Sequence, residues 1–259
     1  MANQNKNDWC KEFFDDFFAE HHLVRTDKKE LDNTISFLEE KLHLQPGCRI
    51  FDQCCGVGSL SIALASKSYK MTGVDLIPSY IARARRDALK TGASCLFESG
   101  DAHDYIAPEP CDAAINWWTS FGYTPNDSQN MKMLHCACAS LKPGGWFALD
   151  YMNAPQKLKD FGSGTCARHE TKKGNYTSIW ESHLDRRNNM IVKKWRYRDT
   201  AGREFEKQGG GAKLYTKDDL EKMFISCGFG NIRFYGSITG ETATDTSPRC
   251  IVVAERLAS

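Results

Sequence analysis

The sequence predicts an α/β fold with an antiparallel insertion, on the strength of three observations. Between Arg49 and Asp75 it reads as strand, glycine turn, helix and second strand, with an acid just past that strand. From Pro78 to Asp150 apolar strand-like runs keep alternating with helical ones, as in a parallel sheet covered by helices. From Ala167 to Lys213 the pattern changes to strands and turns in succession.

The chain has 259 residues, enough for one α/β domain with an elaboration or at most two small domains. It is 41% hydrophobic, which permits a sizeable core. A net charge of +1 carries no bulk bias toward nucleic acid or an anionic membrane, so neither is expected as a partner. No apolar run approaches the length of a membrane span, and Met1 to Asp8 is polar with no signal-peptide core; a cytoplasmic protein is expected. None of the 11 cysteines forms a C-x-x-C pair, and Cys/His metal spacing is absent, so free buried thiols and no metal are expected. The adjacent Cys54 and Cys55 are poorly placed for a disulfide with each other, since vicinal cysteines rarely meet its geometry without strain.

Trp9, Phe13, Phe14, Phe17 and Phe18 recur at helical spacing with acids between them and predict one amphipathic helix, docked on the core or folded over a ligand as a lid. A second helix, Asp27 to Leu44, carries Leu31, Ile35, Leu38 and Leu42 on one face and is stopped by Gln45-Pro46-Gly47. Ile50 and Phe51 then end a buried strand. Gly56 and Gly58 let a ligand approach the backbone and allow positive φ. Leu60 to Ala65 continue as a helix whose first N–H groups have no helical partner. Asp75, past the second strand at Val74, is placed to accept two hydrogen bonds from a ribose diol. A dinucleotide fingerprint wants three glycines and pyrophosphate over the helix. Here the acid Asp52 ends the first strand; it would repel pyrophosphate but suits a ligand carrying an ammonium and a sulfonium.

Asp52-Gln53-Cys54-Cys55-Gly56-Val57-Gly58 resembles motif I of class I S-adenosylmethionine-dependent methyltransferases, with Cys54 where that family has its first glycine; a slightly altered turn is expected there. The resemblance continues through Val74-Asp75-Leu76, Gly100-Asp101, Thr119 to Tyr123, Lys142 to Gly145, Leu214-Tyr215-Thr216, Cys227-Gly228-Phe229 and Ser247-Pro248-Arg249. This combination is similar to a group of bacterial small-molecule methyltransferases with an antiparallel insert. The resemblance implies a class I methyltransferase Rossmann-like fold: a seven-stranded, mostly parallel sheet with an antiparallel last strand, an N-terminal helical lid and the insert. It also implies S-adenosyl-L-methionine as cofactor. Asp52, Cys54, Gly56 and Gly58 would form its cradle, with Asp75 and Leu76 at the ribose. Asp101 would read the adenine amino group with Ala102 beside the ring, and Asn116 would touch the cofactor from the fourth strand. Phe14 is the lid ring expected near the sulfonium. Arg25 either pairs with the methionine carboxylate or is a plain surface arginine.

Beyond Asp75, Pro78 to Lys90 is a helix, Ser94 to Glu98 the third strand and Cys111 to Asn116 the fourth. The loop after Asn116 leaves the carboxyl end of a parallel strand, where such sheets bind ligands. Trp118, Ser120 and Tyr123 are therefore expected to touch the acceptor, and Trp117 to face the core. DNA amino-methyltransferases have Pro-Pro-aromatic here; two tryptophans disfavour that substrate. Asp127 to Ser140 is a helix, Leu141 to Gly145 a loop, and Trp146 to Asp150 the fifth strand with Tyr151, Met152 and Asn153 at its tip. Tyr176 to Asp185 and Met190 to Asp199 are strands of the insert, with Ile191, Trp195 and Tyr197 on one face. Arg203 to Gln208 follows, Gly209-Gly210-Gly211 interrupts, and Lys213-Leu214-Tyr215 resumes. Three or four such strands would cap the substrate pocket; dimer packing is the other use, and keeps a homodimer open. Thr216 caps a last helix, and Asn231 to Tyr235 with Cys250 to Ala254 form an antiparallel edge pair. The expected divisions are 1–45 helical lid, 46–153 cofactor-binding core, 154–214 insert, and 215–259 completing the core sheet.

The function that follows is methyl transfer to nitrogen or oxygen of a small molecule, by in-line displacement that needs no metal and rests on positioning. Tyr123 and Tyr151 are the expected catalytic partners, with His21 and His22 further polar candidates; Asn153 and Tyr215 join the acceptor contacts. Arg249 reaches the pocket or anchors structure. Other readings are an enzyme of this fold that spends the cofactor differently and releases methylthioadenosine, a non-catalytic binding protein, and, weakest, a nicotinamide dehydrogenase.

Overall fold

The structure is a computed structural model and describes residues 8–258; residues 1–7 of the expected lid and of the polar N-terminal stretch lie outside the described residues. The aromatic N-terminal segment is not one helix. It is α1 (Asp8–Phe13), α2 (Asp16–Phe18) and a π-helical turn (Ala19–Leu23), because the Asp15 carboxylate caps the second piece by accepting the Phe18 N–H at 2.9 Å. The expected second helix is α3 (Lys28–Lys41), N-capped by Asp27.

Next come β1 (Arg49–Gln53), α4 (Ser59–Ala65), β2 (Lys70–Asp75), α5 (Pro78–Thr91), β3 (Cys95–Ser99), β4 (Cys111–Asn116), α6 (Asp127–Ser140), β5 (Leu141–Met152) and α7 (Ala154–Lys159). The stretch expected as a loop, Leu141 to Gly145, is thus the start of β5. Four strands follow, β6 (Cys166–Lys173), β7 (Tyr176–Asp185), β8 (Met190–Asp199) and β9 (Glu204–Lys213), and then α8 (Lys217–Ser226), β10 (Phe229–Tyr235) and β11 (Arg249–Arg256). Thr216 and Asp219 close a reciprocal capping box at α8.

Seven strands form one sheet in the order β10-β11-β5-β4-β1-β2-β3. β1 runs parallel to β2 and β4, and β4 parallel to β5. β11 is antiparallel to both β5 and β10, so only β10 lies at the edge of the pair expected there. This is the class I methyltransferase fold. Helices cover both faces, and the centres of β1, β4 and β5 are buried: Ile50, Phe51, Ala113, Ala114, Phe147 and Leu149 are each 0% exposed. The sheet order reverses at β1, which opens the crevice at its carboxyl end to ligands.

The insert is a separate four-stranded antiparallel sheet, β6-β7-β8-β9. Its glycine run does not break the pattern; Gly209 to Gly211 lie inside β9. Gly209 and Gly210 are small because α1 packs on them, and Gly211 because Met190 and Val192 of β8 do. A Cβ on Gly210 would stand 2.1 Å from the Trp9 ring, and one on Gly209 would be 3.3 Å from Phe13.

Among the described residues no helix is long and apolar enough to cross a membrane, and no three His, Cys, Asp or Glu side chains group as for a metal. All 11 cysteines are unpaired thiols.

Candidate active site

A cavity of about 530 Å³ runs from the carboxyl ends of β1, β2 and β4 to the inner face of the second sheet. Its near wall is the turn after β1. Cys54 has φ +63°, the left-handed backbone that favours glycine, so this cysteine adopts what the family's glycine would supply. The Cys55 N–H donates to Val74 O at 2.9 Å and ties the turn to β2. Gly56 faces the cavity; a Cβ there would meet only Leu23, at 3.6 Å. Gly58 does not line the cavity. It lets α4 pack closely, for a Cβ on it would lie 2.8 Å from Phe97 and 2.9 Å from Ala84.

Two of the three acids are at the wall. Asp75 is half-buried. It accepts the Gly56 N–H at 2.9 Å and the Ile77 N–H at 3.0 Å, which fixes its carboxylate beside Leu76 at the rim. Burial pushes its pKa up to about 6 against those two bonds. Asp101 accepts the His103 N–H at 2.9 Å and pairs with His103 Nδ1 at 2.6 Å; Ala102 lies beside it in the wall. His103 Nε2 is buried without a partner.

Asp52 corrects the expectation of a carboxylate facing the ligand. It is 3% exposed, lies outside the cavity wall, and accepts the Ser61 hydroxyl at 2.5 Å. Burial, opposed by that bond, raises its pKa to about 7. Because the folded value lies above the ordinary 3.8, the folded chain holds this proton longer than the unfolded one. Stability therefore falls as pH rises from about 4 to about 7. The variant Asp52→Asn keeps an acceptor for Ser61 and removes the charge. It should flatten this slope and raise the melting temperature at pH 8 by several degrees; an unchanged slope in calorimetric scans would refute the assignment.

Asn116 is also turned inward. Its amide donates to Gln53 Oε1 at 3.0 Å, and Gln53 Nε2 donates in turn to the carbonyls of Ala102 (3.4 Å) and Met133 (3.0 Å). Ala102 and Met133 line the cavity, so this fully buried pair braces the wall beside Asp101 and does not itself touch a ligand.

The N-terminal segment closes the cavity. Phe14 and Tyr123 stack at 6.0 Å, and Trp9 meets Tyr123 edge-on at 5.4 Å. Arg25 lies over the Trp118 ring at 4.7 Å, its backbone N–H donates to Ser59 Oγ at 3.3 Å, and Glu30 is 3.7 Å from its guanidinium. Its Nε is buried with no partner, although the arginine lines the cavity. His22 lines the cavity too, its Nε2 3.2 Å from the Tyr197 hydroxyl, whereas His21 bonds the Phe17 carbonyl and is not in the wall.

Trp118, Ser120 and Tyr123 all line the cavity, and Trp117 is 4% exposed and packs near Phe37. Trp118 and Thr119 both have left-handed backbone, φ +60° and +62°, strain of the kind held at ligand sites. Asp150 holds them. It accepts the Trp118 N–H at 3.1 Å and Arg249 at 2.5–2.6 Å, while Arg249 also donates to Thr119 Oγ1 at 2.8 Å. Arg249 thus both anchors this loop and faces the cavity. Asp150 carries one weak signal in the sequence, an acid near a strand end, as at Asp52 and Asp75.

Tyr123 donates its hydroxyl to Thr119 O at 2.8 Å, and burial raises its pKa, so the phenol is held protonated at the cavity wall. Three other expected contacts lie outside the wall. Tyr151 is fully buried and donates to the Lys213 carbonyl. Asn153 donates to the carbonyls of Thr244 and Ser247, each at 2.8 Å. The Tyr215 hydroxyl bonds Asp127 at 2.6 Å and accepts from Asn130 at 2.8 Å. All three point back into the protein because the polypeptide leaving and re-entering the main sheet offers unpaired carbonyls and acids that must be satisfied.

A family model described as a methyltransferase domain matches residues 50–145. The chain is 31% identical over 129 residues to a ubiquinone biosynthesis O-methyltransferase of Burkholderia pseudomallei, an alignment covering 49% of this chain and 53% of that protein. The chain thus spans about half the length of such relatives. Among solved structures, the CcbJ methyltransferase from Streptomyces caelestis superposes with a TM-score of 0.80 at 13% identity, covering 96% of this chain and 99% of that one. The sugar N-methyltransferase KedS8 from Streptoalloteichus does so with a TM-score of 0.68 at 18% identity, covering 94% and 92%.

Proposed function

We propose that the chain, whose residues 50–145 match a methyltransferase-domain model, is a class I methyltransferase that transfers a methyl group from S-adenosylmethionine to a nitrogen or oxygen of a small molecule. One observation carries this reading: a single cavity joins Gly56, Asp75 and Asp101 to a chamber walled by Trp118, Tyr123 and the second sheet, so donor and acceptor would share one continuous space. The similar proteins include both an O- and an N-methyltransferase, and both acceptor atoms stay within the proposal.

The residues present fit the cofactor. Asp75 would accept from the ribose hydroxyls, Asp101 from the adenine amino group, and the unpartnered Arg25 Nε is left for the methionine carboxylate. S-adenosylmethionine supplies a methyl group already activated by its sulfonium. The chain's part is to align and to exclude water. Trp9, Phe14 and Tyr123 close the space with rings, and the strained Trp118–Thr119 backbone presents Ser120 to it. Tyr123, bonded through its hydroxyl to Thr119, holds shape.

Incubation with labelled S-adenosylmethionine and a panel of amine and phenol acceptors should yield S-adenosylhomocysteine; methylthioadenosine instead, or no turnover on any acceptor, would overturn the proposal. The Arg25 role has its own test. Arg25→Met should weaken S-adenosylhomocysteine about 10-fold or more, the loss of one charge-assisted hydrogen bond. It should leave 5′-methylthioadenosine, which lacks the carboxylate, unaffected. Equal losses for both ligands in calorimetric titration would place Arg25 elsewhere.

A further inference from the structure

The inner face of the second sheet is built in rungs. One rung is aromatic. His169, Trp180 and Trp195 are register partners on β6, β7 and β8, and their rings stack at 5.5 and 5.1 Å. The next rung is small except at one place. Ala167 pairs with Ser182, Ser182 pairs with Lys193, and the β9 stretch beside Lys193 is the irregularity at Gly209 and Gly210. Lys193 therefore stands on the cavity side of β8 between Ile191 and Trp195, with the small Ser182 across from it on β7 and, on β9, the glycines on which Trp9 and Phe13 pack.

Four Lys and Arg side chains line the cavity. Arg25 reaches Glu30 at 3.7 Å, Lys157 reaches Asp160 at 3.4 Å, and Arg249 holds Asp150 at 2.5 Å. Among the described residues Lys193 has no carboxylate and no hydrogen-bond partner. Its side chain is open to the cavity, yet the surrounding walls desolvate it, and with Lys157 and Arg249 nearby they hold its pKa below the ordinary lysine range. An anion against the ammonium would relieve both penalties. The rings cover one another's faces, which leaves none for a cation, and Lys193 repels a cationic ligand as well.

We propose that the ligand of this chamber is a planar, largely apolar molecule bearing a carboxylate or phosphate, with its apolar body against the cavity-side edges of the stacked Trp180 and Trp195 rings and its anionic group on Lys193 Nζ. That this ligand is the methyl acceptor rests on the methyltransferase reading above; the anion site itself rests on the chamber.

The test is calorimetric titration of the full chain, with S-adenosylhomocysteine present, using three probes of one shape: 2-naphthoate, 2-naphthalenemethanol and 2-naphthylmethylammonium, with 2-naphthyl phosphate as the second anion. The anions should bind about 10–100-fold more tightly than the neutral probe, as for a charge-assisted hydrogen bond. Lys193→Met should abolish that preference, Lys193→Arg should keep it, and both variants should bind S-adenosylhomocysteine as the parent does, which also reports that they are folded. Which anion binds better separates carboxylate from phosphate recognition. Equal affinities for charged and neutral probes, tighter binding of the ammonium, a preference that survives Lys193→Met, or no saturable binding by any probe would overturn the proposal. Loss of S-adenosylhomocysteine binding in the parent, with the anion preference intact, would instead count against the methyltransferase reading and leave the anion site standing.

Discussion

Asp75→Ala is expected to lower affinity for S-adenosylhomocysteine by about 10–100-fold, since charge-assisted hydrogen bonds are worth about 1.5–3 kcal/mol. Asp75 would accept from the ribose while it receives the Gly56 and Ile77 N–H groups at 2.9 and 3.0 Å, so its loss frees the cradle as well as the contact. Protonation should act in the same direction. With its pKa raised to about 6, Asp75 is charged at neutral pH and neutral below that value. A ligand that prefers the charged form must then bind more weakly as pH falls through 6, by up to tenfold per unit. Calorimetric titrations between pH 5 and 8 on parent and Asp75→Asn would check both statements. The parent should lose affinity on the acid side, and the variant should be weak and flat. Parent-like affinity in Asp75→Ala would refute the placement of the ribose.

Gly58→Ala is expected to destabilise the fold by about 2–4 kcal/mol. Two costs add. Gly58 has φ +76°, and its Cβ would press to 2.8 Å on Phe97 and 2.9 Å on Ala84, which are 1% and 0% exposed and have nowhere to move. Gly47 supplies the control. It too has positive φ, +84°, but nothing lies within 4 Å of its added Cβ, so Gly47→Ala should show the backbone cost alone, about 1 kcal/mol. Guanidinium unfolding of the two variants separates the terms. Equal losses would mean that α4 and β3 are not packed as closely as described, and with them the turn that carries Gly56.

Much of this was legible beforehand because it depends on local sequence. β4, α6, β7 and β8 follow from periodicity over single segments, and the bounds of Asp127–Ser140 and Tyr176–Asp185 coincide with the expected ones. A turn was legible after β1, but its left-handed backbone at Cys54 was not, because nothing in a cysteine's own chemistry asks for positive φ. The N-terminal aromatics were misread as one helix because Asp15 looks like any acid on a polar face; only the geometry shows its carboxylate turned back to cap Phe18. The glycine run looked like a break because the rings of Trp9 and Phe13, which fill the place of side chains at Gly210 and Gly209, come from the other end of the chain.

What the sequence by itself determined is the order of elements and which strand ends carry acids and glycines, since hydrophobic period and turn chemistry act within a few residues. What only the tertiary structure decided is the direction each of those polar side chains takes. Asp75 and Asp101 face the cavity while Asp52, Asn116, Tyr151, Asn153 and Tyr215 face inward. The reason is that a buried polar atom goes to whichever partner lies in reach, and most of those partners, from Gln53 for Asn116 to Thr244 for Asn153, are set by packing between segments far apart in the chain.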